Sequence, residues 1–428
     1  MSGRQKKHCV VIGAGVVGLT SAWALAERGF AVTLVEREAQ VGQGASFANG
    51  GQLSYRYVSP LADAGVPMKA LRWLLDPDGP LRFKPDLTSL QQWRWMAQFL
   101  RACRAPVNQQ MTTRLLALGA YSQAAFAQLH ADANLSAPAL QLRSPGKLVL
   151  YRHAAEFKRV RQRLQAQPAG AEQALDAAAC LQLEPALAAS SVQLAGGIFT
   201  PGEAVADCHA FCTHLAASLQ RHPNFRGLVQ GEVQGFTPGA GGRVAAVRMT
   251  QGELAADDFV LAAGLQSRSL AQSLGLRLPL YPLKGYSLTA PIAAEHLAPE
   301  ISVTDFEKKV VYARIGAQMR VAAMVDMVGD DTSLDPRRLA SLRGHVQAMF
   351  PRSADYTQAS AWAGLRPATP SGAPILGETP LRNLWLNVGH GALGFTFSFG
   401  TANIVADLVA GRASPVPLDG FQLAWASP

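Results

Sequence analysis

The spacing of apolar residues along the chain alternates between a strand period and a helix period. Residues 8–12 are a short apolar run, residues 19–28 place apolar side chains at helical spacing, and residues 32–36 are a second apolar run. A strand, a helix and a strand in this order predict a β-α-β unit with parallel strands. Near the other end of the chain, a strand predicted at 384–388 precedes a helix that ends at Ala410.

The middle of the chain carries elements of a second kind. Strands are predicted at 146–151, 281–289, 310–315 and 319–324, and helices at 89–104, 111–131, 154–164, 207–221 and 339–349. Because these elements interrupt the β-α-β pattern, we predict two intertwined domains. One comprises residues 1–56, 196–277 and 361–428, and the other comprises residues 57–195 and 278–360.

The turn after the first strand has the glycine spacing of a dinucleotide-binding site. Gly13, Gly15 and Gly18 follow the G-x-G-x-x-G pattern, and Glu36 ends the second strand. Gly13 permits the tight turn, Gly15 lets the backbone approach a pyrophosphate at the helix N-terminus, and Gly18 lets helix and strand pack closely. The Glu36 carboxylate can accept hydrogen bonds from a ribose hydroxyl. This context predicts an ADP-containing cofactor and leaves NAD and FAD equally open.

Composition narrows the class of protein. The chain of 428 residues is 49% hydrophobic and 16% charged, which is typical of a globular protein with two or more domains. The net charge of +9 favours anionic partners, but no nucleic-acid-binding motif accompanies it, so we expect no nucleic acid partner. The five cysteines are odd in number and form no C-x-x-C pair, which favours a reduced compartment, and we expect no metal site.

Two segments bear on the location of the protein. Residues 1–8 are polar and basic without an apolar core, so we expect no secretory signal. Residues 391–411 are the most apolar long segment, but they include Asn403 and Asp407, and we interpret them as a buried helix and not as a membrane span.

Five motifs together point to one family. They are the glycine fingerprint with Glu36-Arg37, S-x-x-N-G-G-Q-L-S at 46–54, Y-P-L-K-G-Y-S-L-T at 281–289, G-L-R-P-x-T-P-x-G at 364–372 and L-W-L-N-x-G-H-G-x-x-G at 384–394. Over nearly its whole length the chain resembles the D-amino-acid oxidase-like FAD oxidoreductase superfamily, and within it the D-amino-acid dehydrogenase small-subunit family. The resemblance implies an α/β fold, α+β overall, with a Rossmann-like FAD-binding domain and a second substrate domain of a mostly antiparallel sheet plus helices.

The resemblance also implies FAD as the cofactor. The N-terminus of the last helix would face the pyrimidine edge of the flavin and stabilise negative charge there. No histidine occurs in 46–51 and no cysteine follows Cys212, so we expect FAD to be bound non-covalently. The predicted FAD-binding residues are Gly13, Gly15, Val17, Gly18, Glu36, Arg37, Ser46, Asn49, Gly50, Gly51, Gln52, Val233, Ala263, Gly264, Gly391, Leu393, Gly394 and Thr396.

An amino-acid substrate is implied in the same way, and its carboxylate needs a cationic ligand. A guanidinium suits this task because its fork of N–H groups meets a carboxylate bidentately. Arg366 is the predicted ligand, although a structural arginine that ties loop carbonyls would fit the same motif. Tyr57, Tyr286 and His390 are predicted walls of the substrate site, and each would serve equally as packing.

Three functions remain open. The first is oxidative deamination of D-amino acids: hydride transfer from Cα to flavin N5, hydrolysis of the imine to a 2-oxo acid and ammonia, and transfer of the electrons to a respiratory, quinone-type acceptor. The second is dehydrogenation of D-proline, D-hydroxyproline or sarcosine-like secondary amines. The third is a flavin-binding electron-relay subunit without turnover. Ser371, Ala322 and Ala323 replace the usual Asp and Gly-Gly of the family, and they leave the side-chain preference open.

The basic, tryptophan-rich stretch at 69–104 suggests a further partner. It contains Trp73, Trp93 and Trp95 among several arginines and lysines. Such a stretch favours an anionic membrane surface, where a quinone-linked acceptor would be found, but a helical layer with snorkelling basic side chains would give the same pattern. We expect a cytoplasmic protein, and membrane contact here would make it peripheral on the inner face of the cell membrane.

Overall fold

Helices and strands cover most of the chain. The computed structural model describes residues 6–58, 62, 65–76, 78–165, 170 and 172–425. The helices are α1 (Val16–Glu27), α2 (Val66–Leu75), α3 (Leu90–Ala102), α4 (Ala105–Asp132), α5 (Ala154–Gln165), α6 (Ala177–Leu183), α7 (Cys208–Arg221), α8 (Gln266–Gln272), α9 (Pro336–Met349) and α10 (Gly394–Val409). The strands are β1 (His8–Ile12), β2 (Ala31–Glu36), β3 (Gln52–Leu53), β4 (Leu81–Phe83), β5 (Lys147–Tyr151), β6 (Gln173–Leu175), β7 (Gly196–Thr200), β8 (Ala204–Val205), β9 (Phe225–Gln230), β10 (Val233–Gly239), β11 (Arg243–Met249), β12 (Gly252–Ala255), β13 (Asp258–Leu261), β14 (Tyr281–Pro291), β15 (Ser302–Asp305), β16 (Val310–Ile315), β17 (Gln318–Met327), β18 (Ser360–Ala368), β19 (Ile375–Glu378) and β20 (Leu384–Val388).

The predicted β-α-β unit lies at the centre of a six-stranded sheet. Its strand order is β19-β20-β13-β1-β2-β9, with β1 parallel to both β2 and β13. Cys9 and Val11 pack in the cluster that contains α1, whereas Val10 and Ile12 pack in the cluster that contains the three-stranded sheet β10-β11-β12. Both faces of β1 are therefore covered, which explains its continuous apolar sequence.

A second sheet of nine strands carries most of the remaining chain. Its order is β18-β14-β17-β16-β15-β5-β7-β6, and β4 pairs with β17 at the side. The strands pair antiparallel except β15 with β5 and β17 with β4, as the prediction of a mostly antiparallel sheet requires. On one face, Leu288 and Tyr312 pack against Leu342 and Val346 of α9.

Two strands do not follow the domain limits predicted from the sequence. β7 and β18 belong to the nine-stranded sheet, although residues 196 and 361 were predicted to begin segments of the nucleotide-binding domain. The pairing of β7 with β5 and of β18 with β14 decides this placement. Apolar periodicity identifies a strand but does not identify its partners, so the sequence pattern could not locate these limits.

The last helix, α10, is a core element of the molecule. It packs against α1, where the Thr20 hydroxyl donates to the Ser398 carbonyl at 3.2 Å and Arg28 forms an ion pair of 2.7 Å with Asp407. Within the described residues, the segment Gly391–Val409 has the length and composition to cross a membrane, but 67% of it is buried inside the protein. The packing accords with the buried helix that we predicted.

Candidate active site

Two glycines at the turn between β1 and α1 have no room for a side chain. A Cβ atom on Gly18 would overlap the carbonyl oxygen of Gly13, and a Cβ atom on Gly13 would lie 2.8 Å from Ala262 O and from Ala263 Cα. Gly13 also has φ +102°, which favours glycine. The helix and the strands therefore approach each other at backbone distance, as the fingerprint predicted.

The N-terminus of α1 is open to an anionic ligand. Gly15 is the N-cap residue and supplies no side-chain cap, and the nearest atom to a Cβ placed on it would be Ser46 Oγ at 3.5 Å. The Ser46 hydroxyl accepts the Val16 N–H at 3.1 Å. Glu36 lies at the same turn, where its carboxylate accepts the Ala14 N–H at 2.6 Å. The remaining N–H groups of the first helical turn and the helix dipole would favour a pyrophosphate here.

The N-terminus of α10 lies beside the chain that follows Ser46. The Thr396 hydroxyl accepts the Ser54 N–H at 3.2 Å, and the N-cap residue Leu393 provides no side-chain cap. Immediately before this helix, His390 forms a β-bridge with Ala368 at the end of β18. Segments from three distant parts of the sequence thus meet at one helix N-terminus.

One face of the nine-stranded sheet faces the segment 48–50. Val311, Ala322, Ser287 and Trp362 are aligned across β16, β17, β14 and β18, and directly aligned residues share a face. The Ser287 hydroxyl donates to the carbonyl of Ala48 at 2.7 Å. A Cβ on Gly50 would lie 3.5 Å from Val311 and 3.6 Å from Ala322. These contacts mark the face that would look towards a cofactor held by the segment.

Arg366 presents its guanidinium on this same face. Its position on β18, four residues after Trp362, gives it the same orientation, and a Cβ on Gly285 would overlap the guanidinium. Nη1 of Arg366 donates to the Met324 carbonyl at 2.9 Å. Among the residues that the structure describes, no carboxylate forms an ion pair with this half-buried group. Burial lowers the pKa of Arg366 to about 10, so it stays cationic at neutral pH and has hydrogen-bonding capacity left for an anion.

The carbonyl that accepts the hydrogen bond from Arg366 belongs to Met324, which has an unusual backbone conformation. Met324 is buried and has φ +74°, in the left-handed region that side chains other than glycine rarely adopt. The pairing of β14 with β17 shifts register at this point, between Lys284 and Tyr286. Strained backbone of this kind clusters at functional sites. No sequence pattern indicates this conformation.

Tyr286 does not line this face, which corrects our prediction. Residues alternate along a strand, so Tyr286 points opposite to Gly285 and Ser287 and packs in the cluster that contains α9. Its hydroxyl donates to Asp326 at 3.2 Å, and burial with that neighbouring carboxylate raises its pKa. Lys284 lies on the same side, fully buried and paired with Asp331 at 3.0 Å.

His390 is also placed differently from our prediction of a substrate wall. Its ring is buried, and Nε2 lies 3.0 Å from the Thr401 hydroxyl on α10. Burial lowers its pKa to about 3, which leaves the ring neutral at physiological pH. The side chain therefore fixes the turn before α10. Tyr57, the remaining predicted wall residue, lies under the Lys147 ammonium, with 4.3 Å from Nζ to the ring centroid.

Lys147 is a buried charge that sequence reasoning missed. Nζ donates to Gln52 Oε1 at 2.8 Å and to Ser54 Oγ at 2.9 Å, and the Gln52 amide also donates to Ser302. Burial lowers the pKa of Lys147. The ammonium thereby fixes the chain just after the segment 48–50. A lone lysine at the start of a strand carries no sequence signal for such a role.

The family of the chain follows from sequence comparison. Residues 8–408 match the model of the family described as FAD dependent oxidoreductase. The chain belongs to this family. It is 50% identical over 411 residues to D-amino acid dehydrogenase 2 of Pseudomonas aeruginosa, with 96% of this chain and 97% of that protein covered. It is 44% identical over 431 residues to D-amino acid dehydrogenase 2 of Ralstonia nicotianae, with 97% and 99% covered.

Solved structures confirm the fold of this FAD-dependent oxidoreductase. Glycine oxidase from Geobacillus kaustophilus superimposes with a TM-score of 0.75 at 22% identity, covering 99% of this chain and 100% of that one. L-proline dehydrogenase from P. horikoshii gives 0.74 at 16% identity, covering 97% and 96%. At these identities the likeness concerns the fold alone. The α/β fold and the family that the motifs predicted are confirmed.

The residues present fit FAD at both ends. The open N-terminus of α1 would take the pyrophosphate, and the uncapped N-terminus of α10 would take the electronegative edge of the flavin. Gly13, Gly15, Val17 and Gly18 lie at the first of these N-termini, and Gly391, Leu393, Gly394 and Thr396 lie at the second. Ala263 contacts the fingerprint turn, and a Cβ atom on Gly264 would meet nothing within 4 Å. The Asn49 side-chain oxygen accepts the Gly51 N–H at 3.0 Å. Val233 is buried at the start of β10. Arg37 is exposed, and its Nε atom lies 3.1 Å from Glu38 Oε1. The assignment of individual ligands and non-covalent binding remain predictions.

Proposed function

We propose that the protein is a D-amino acid dehydrogenase that converts D-amino acids into 2-oxo acids and ammonia. One observation carries the proposal: the Arg366 guanidinium, without an acidic partner among the described residues, lies on the sheet face that meets the segment 48–50. A cation in this position suits the carboxylate of an amino acid. The names of the relatives, at 38–50% identity, support the D-series and the dehydrogenase reaction.

The task of this chain is to hold and aim the substrate. Arg366 would bind the carboxylate bidentately while Met324 O keeps the guanidinium in place. The amino acid would then lie between the sheet face and the cofactor. Bound FAD would supply the two-electron acceptor. The substrate loses a hydride from Cα and a proton from its amine, and water adds to the resulting imine to release ammonia and the 2-oxo acid.

Anaerobic spectroscopy of the FAD-loaded protein tests this function. We expect D-alanine to bleach the flavin absorbance and L-alanine to leave it unchanged, and we expect turnover with a dye acceptor. D-proline and sarcosine, added in parallel, examine the secondary-amine alternative. Bleaching by sarcosine or proline alone would refute the primary-amine assignment. Bleaching by no amine would favour an electron-relay subunit, and rapid peroxide formation in air would indicate an oxidase.

We further propose that electrons pass to a quinone-type acceptor at an anionic membrane surface. Large apolar side chains are exposed on α2, on α3 and on the loop between them: Met68, Leu74, Leu75, Leu87, Leu90, Trp93 and Leu100. Basic residues accompany them, including the exposed Arg72, Arg94 and Arg101. Exposed apolar groups together with positive charge are typical of surfaces that bind anionic lipid.

A groove lies between α3 and the turn after β18. Its volume is about 430 Å³, and its lining includes Gln98 and Arg101 of α3, Pro370 and Ser371 of the turn after β18, and Leu423. The helix α3 is anchored to the end of β18, because the Trp95 indole donates to the Ala368 carbonyl at 3.0 Å. The groove would give an acceptor bound at α3 a path towards the flavin.

Sedimentation with vesicles of anionic phospholipid tests the membrane contact. We expect binding at low salt that weakens at high salt, because basic side chains supply part of the attraction. Leu75→Ser and Trp93→Ser should reduce binding. Leu297→Ser is the control, since it removes another exposed leucine that lies outside this surface. Absence of binding at both salt concentrations would overturn the proposal.

A further inference from the structure

The indole of Trp362 lies on the sheet face that carries Arg366. A Cβ atom on Gly364 would overlap the six-membered ring of this indole, so the ring rests directly on the backbone of Gly364. Gly364 is aligned with Gly285 on β14, and the Arg366 guanidinium rests on Gly285 in the same manner. An indole and a guanidinium therefore lie side by side over a floor of two paired glycines.

This arrangement leaves a flat apolar surface beside the proposed carboxylate ligand. Trp362 and Arg366 are both half-buried, so neither side chain is completely covered by the protein. Paired residues on neighbouring strands are about 5 Å apart. A side chain that leaves Cα of a carboxylate-bound amino acid can span that distance and reach the indole. Ser287 and Ala322, the next residues in the aligned row, are covered by the segment 48–50, so the indole borders the segment that would hold the cofactor.

We propose that Trp362 is a specificity-determining residue that stacks against the side chain of the substrate and favours broad apolar and aromatic side chains over small ones. The inference rests on the proposed function, since it requires an amino acid on Arg366. Aromatic faces gain contact area and favourable ring geometry with such groups, whereas a methyl group is too short to cover the indole. The glycines at 285 and 364 serve this role because any side chain there would lift the indole or the guanidinium.

Steady-state kinetics of the holoenzyme with D-phenylalanine and D-alanine test the inference. For Trp362→Ala we expect the ratio of kcat/KM for D-phenylalanine to that for D-alanine to fall about tenfold or more. Gly364→Ala should lower the ratio too, because it displaces the indole without removing it. Trp362→Phe should keep most of the ratio. Trp425→Ala, which removes an indole that donates to the Glu378 carbonyl, should leave it unchanged.

A binding measurement separates failure of this inference from failure of the proposed function. Phenylacetate and acetate, titrated into the FAD-loaded protein, report through the difference spectrum of the flavin without turnover. We expect the preference for phenylacetate over acetate to fall about tenfold in Trp362→Ala. Equal effects on both carboxylates, or no effect, would overturn the role of Trp362. If no D-amino acid reduces the wild-type flavin, the proposed function fails while this measurement still tests the indole.

Discussion

The two ends of the candidate FAD site are built in different ways. The nucleotide end is built mainly on one continuous segment, β1 to β2, whose backbone would meet the cofactor. The substrate end is assembled from β14, β17, β18 and the segment 48–50, and it depends on which residues are aligned across strands. The first therefore depends on local sequence, and the second on the register of elements that are far apart in the chain.

The largest effect should come from a side chain at the nucleotide end. In Gly18→Val the new side chain would overlap the Gly13 carbonyl, and overpacking at a site without slack costs about 3 kcal/mol or more. We expect loss of bound FAD together with a lower Tm, measured by flavin absorbance per protein and by calorimetry. Gly344→Ala on α9 is the control, since a Cβ there meets nothing within 4 Å. Full FAD content in Gly18→Val would contradict this account.

Removal of the guanidinium should affect the substrate end alone. For Arg366→Met we expect kcat/KM for a D-amino acid to fall about 100-fold or more, since a desolvated charge partner of the carboxylate is lost. FAD content should stay at the wild-type level. Arg366→Lys should recover part of the loss because it restores the charge without the fork. A parallel loss of FAD in Arg366→Met would assign the residue to the cofactor instead.

A smaller effect should come from a methyl group under the guanidinium. Gly285→Ala would force Arg366 away from its position, and misplacement of a substrate-positioning group by about 1 Å costs up to about 100-fold. We expect kcat/KM to fall about tenfold to 100-fold with FAD retained. In an Arg366→Met background the same substitution should cost little, because its target is already absent. Additive losses would show that Gly285 acts by another route.

His390, which belongs to the scaffold although we predicted it at the substrate, should have little effect at neutral pH and should make stability depend on pH in acid. Its folded-state pKa of about 3 lies below the ordinary value of 6.5, so its contribution to stability is complete above pH 6.5 and is lost as pH falls towards 3. We expect the free energy of unfolding of the wild type to fall more steeply in this range than that of His390→Gln, by up to about 1.4 kcal/mol per pH unit. Denaturant unfolding at several pH values measures this, and parallel curves would refute it.

Sequence reasoning succeeded where structure depends on neighbours in the chain. The unit β1-α1-β2 and the buried helix α10 follow from glycine spacing and apolar period. Our prediction for Tyr286 was wrong because alternation along β14 shows which residues share a face but not which face meets the segment 48–50. The alignment of Ser287 with Ala322 and Trp362 decides which face it is. Trp362 was missed because a lone tryptophan resembles packing. Gly285 and Gly364 each lie inside a motif, and together they could have pointed to the packing of Trp362. Their alignment is known only once β14 and β18 are paired.

The packing of α1 on α10 has a consequence for the choice of cofactor. The N-termini of these helices face the two ends of the proposed FAD position, and the pairs Thr20–Ser398 and Arg28–Asp407 join the helices into one body. The relative position of the two anion-binding ends is thus set by the protein before any ligand arrives. FMN carries both a phosphate and a flavin ring and would meet both helix N-termini, but it lacks the adenosine whose ribose Glu36 would bind, so only a dinucleotide such as FAD would use the whole site.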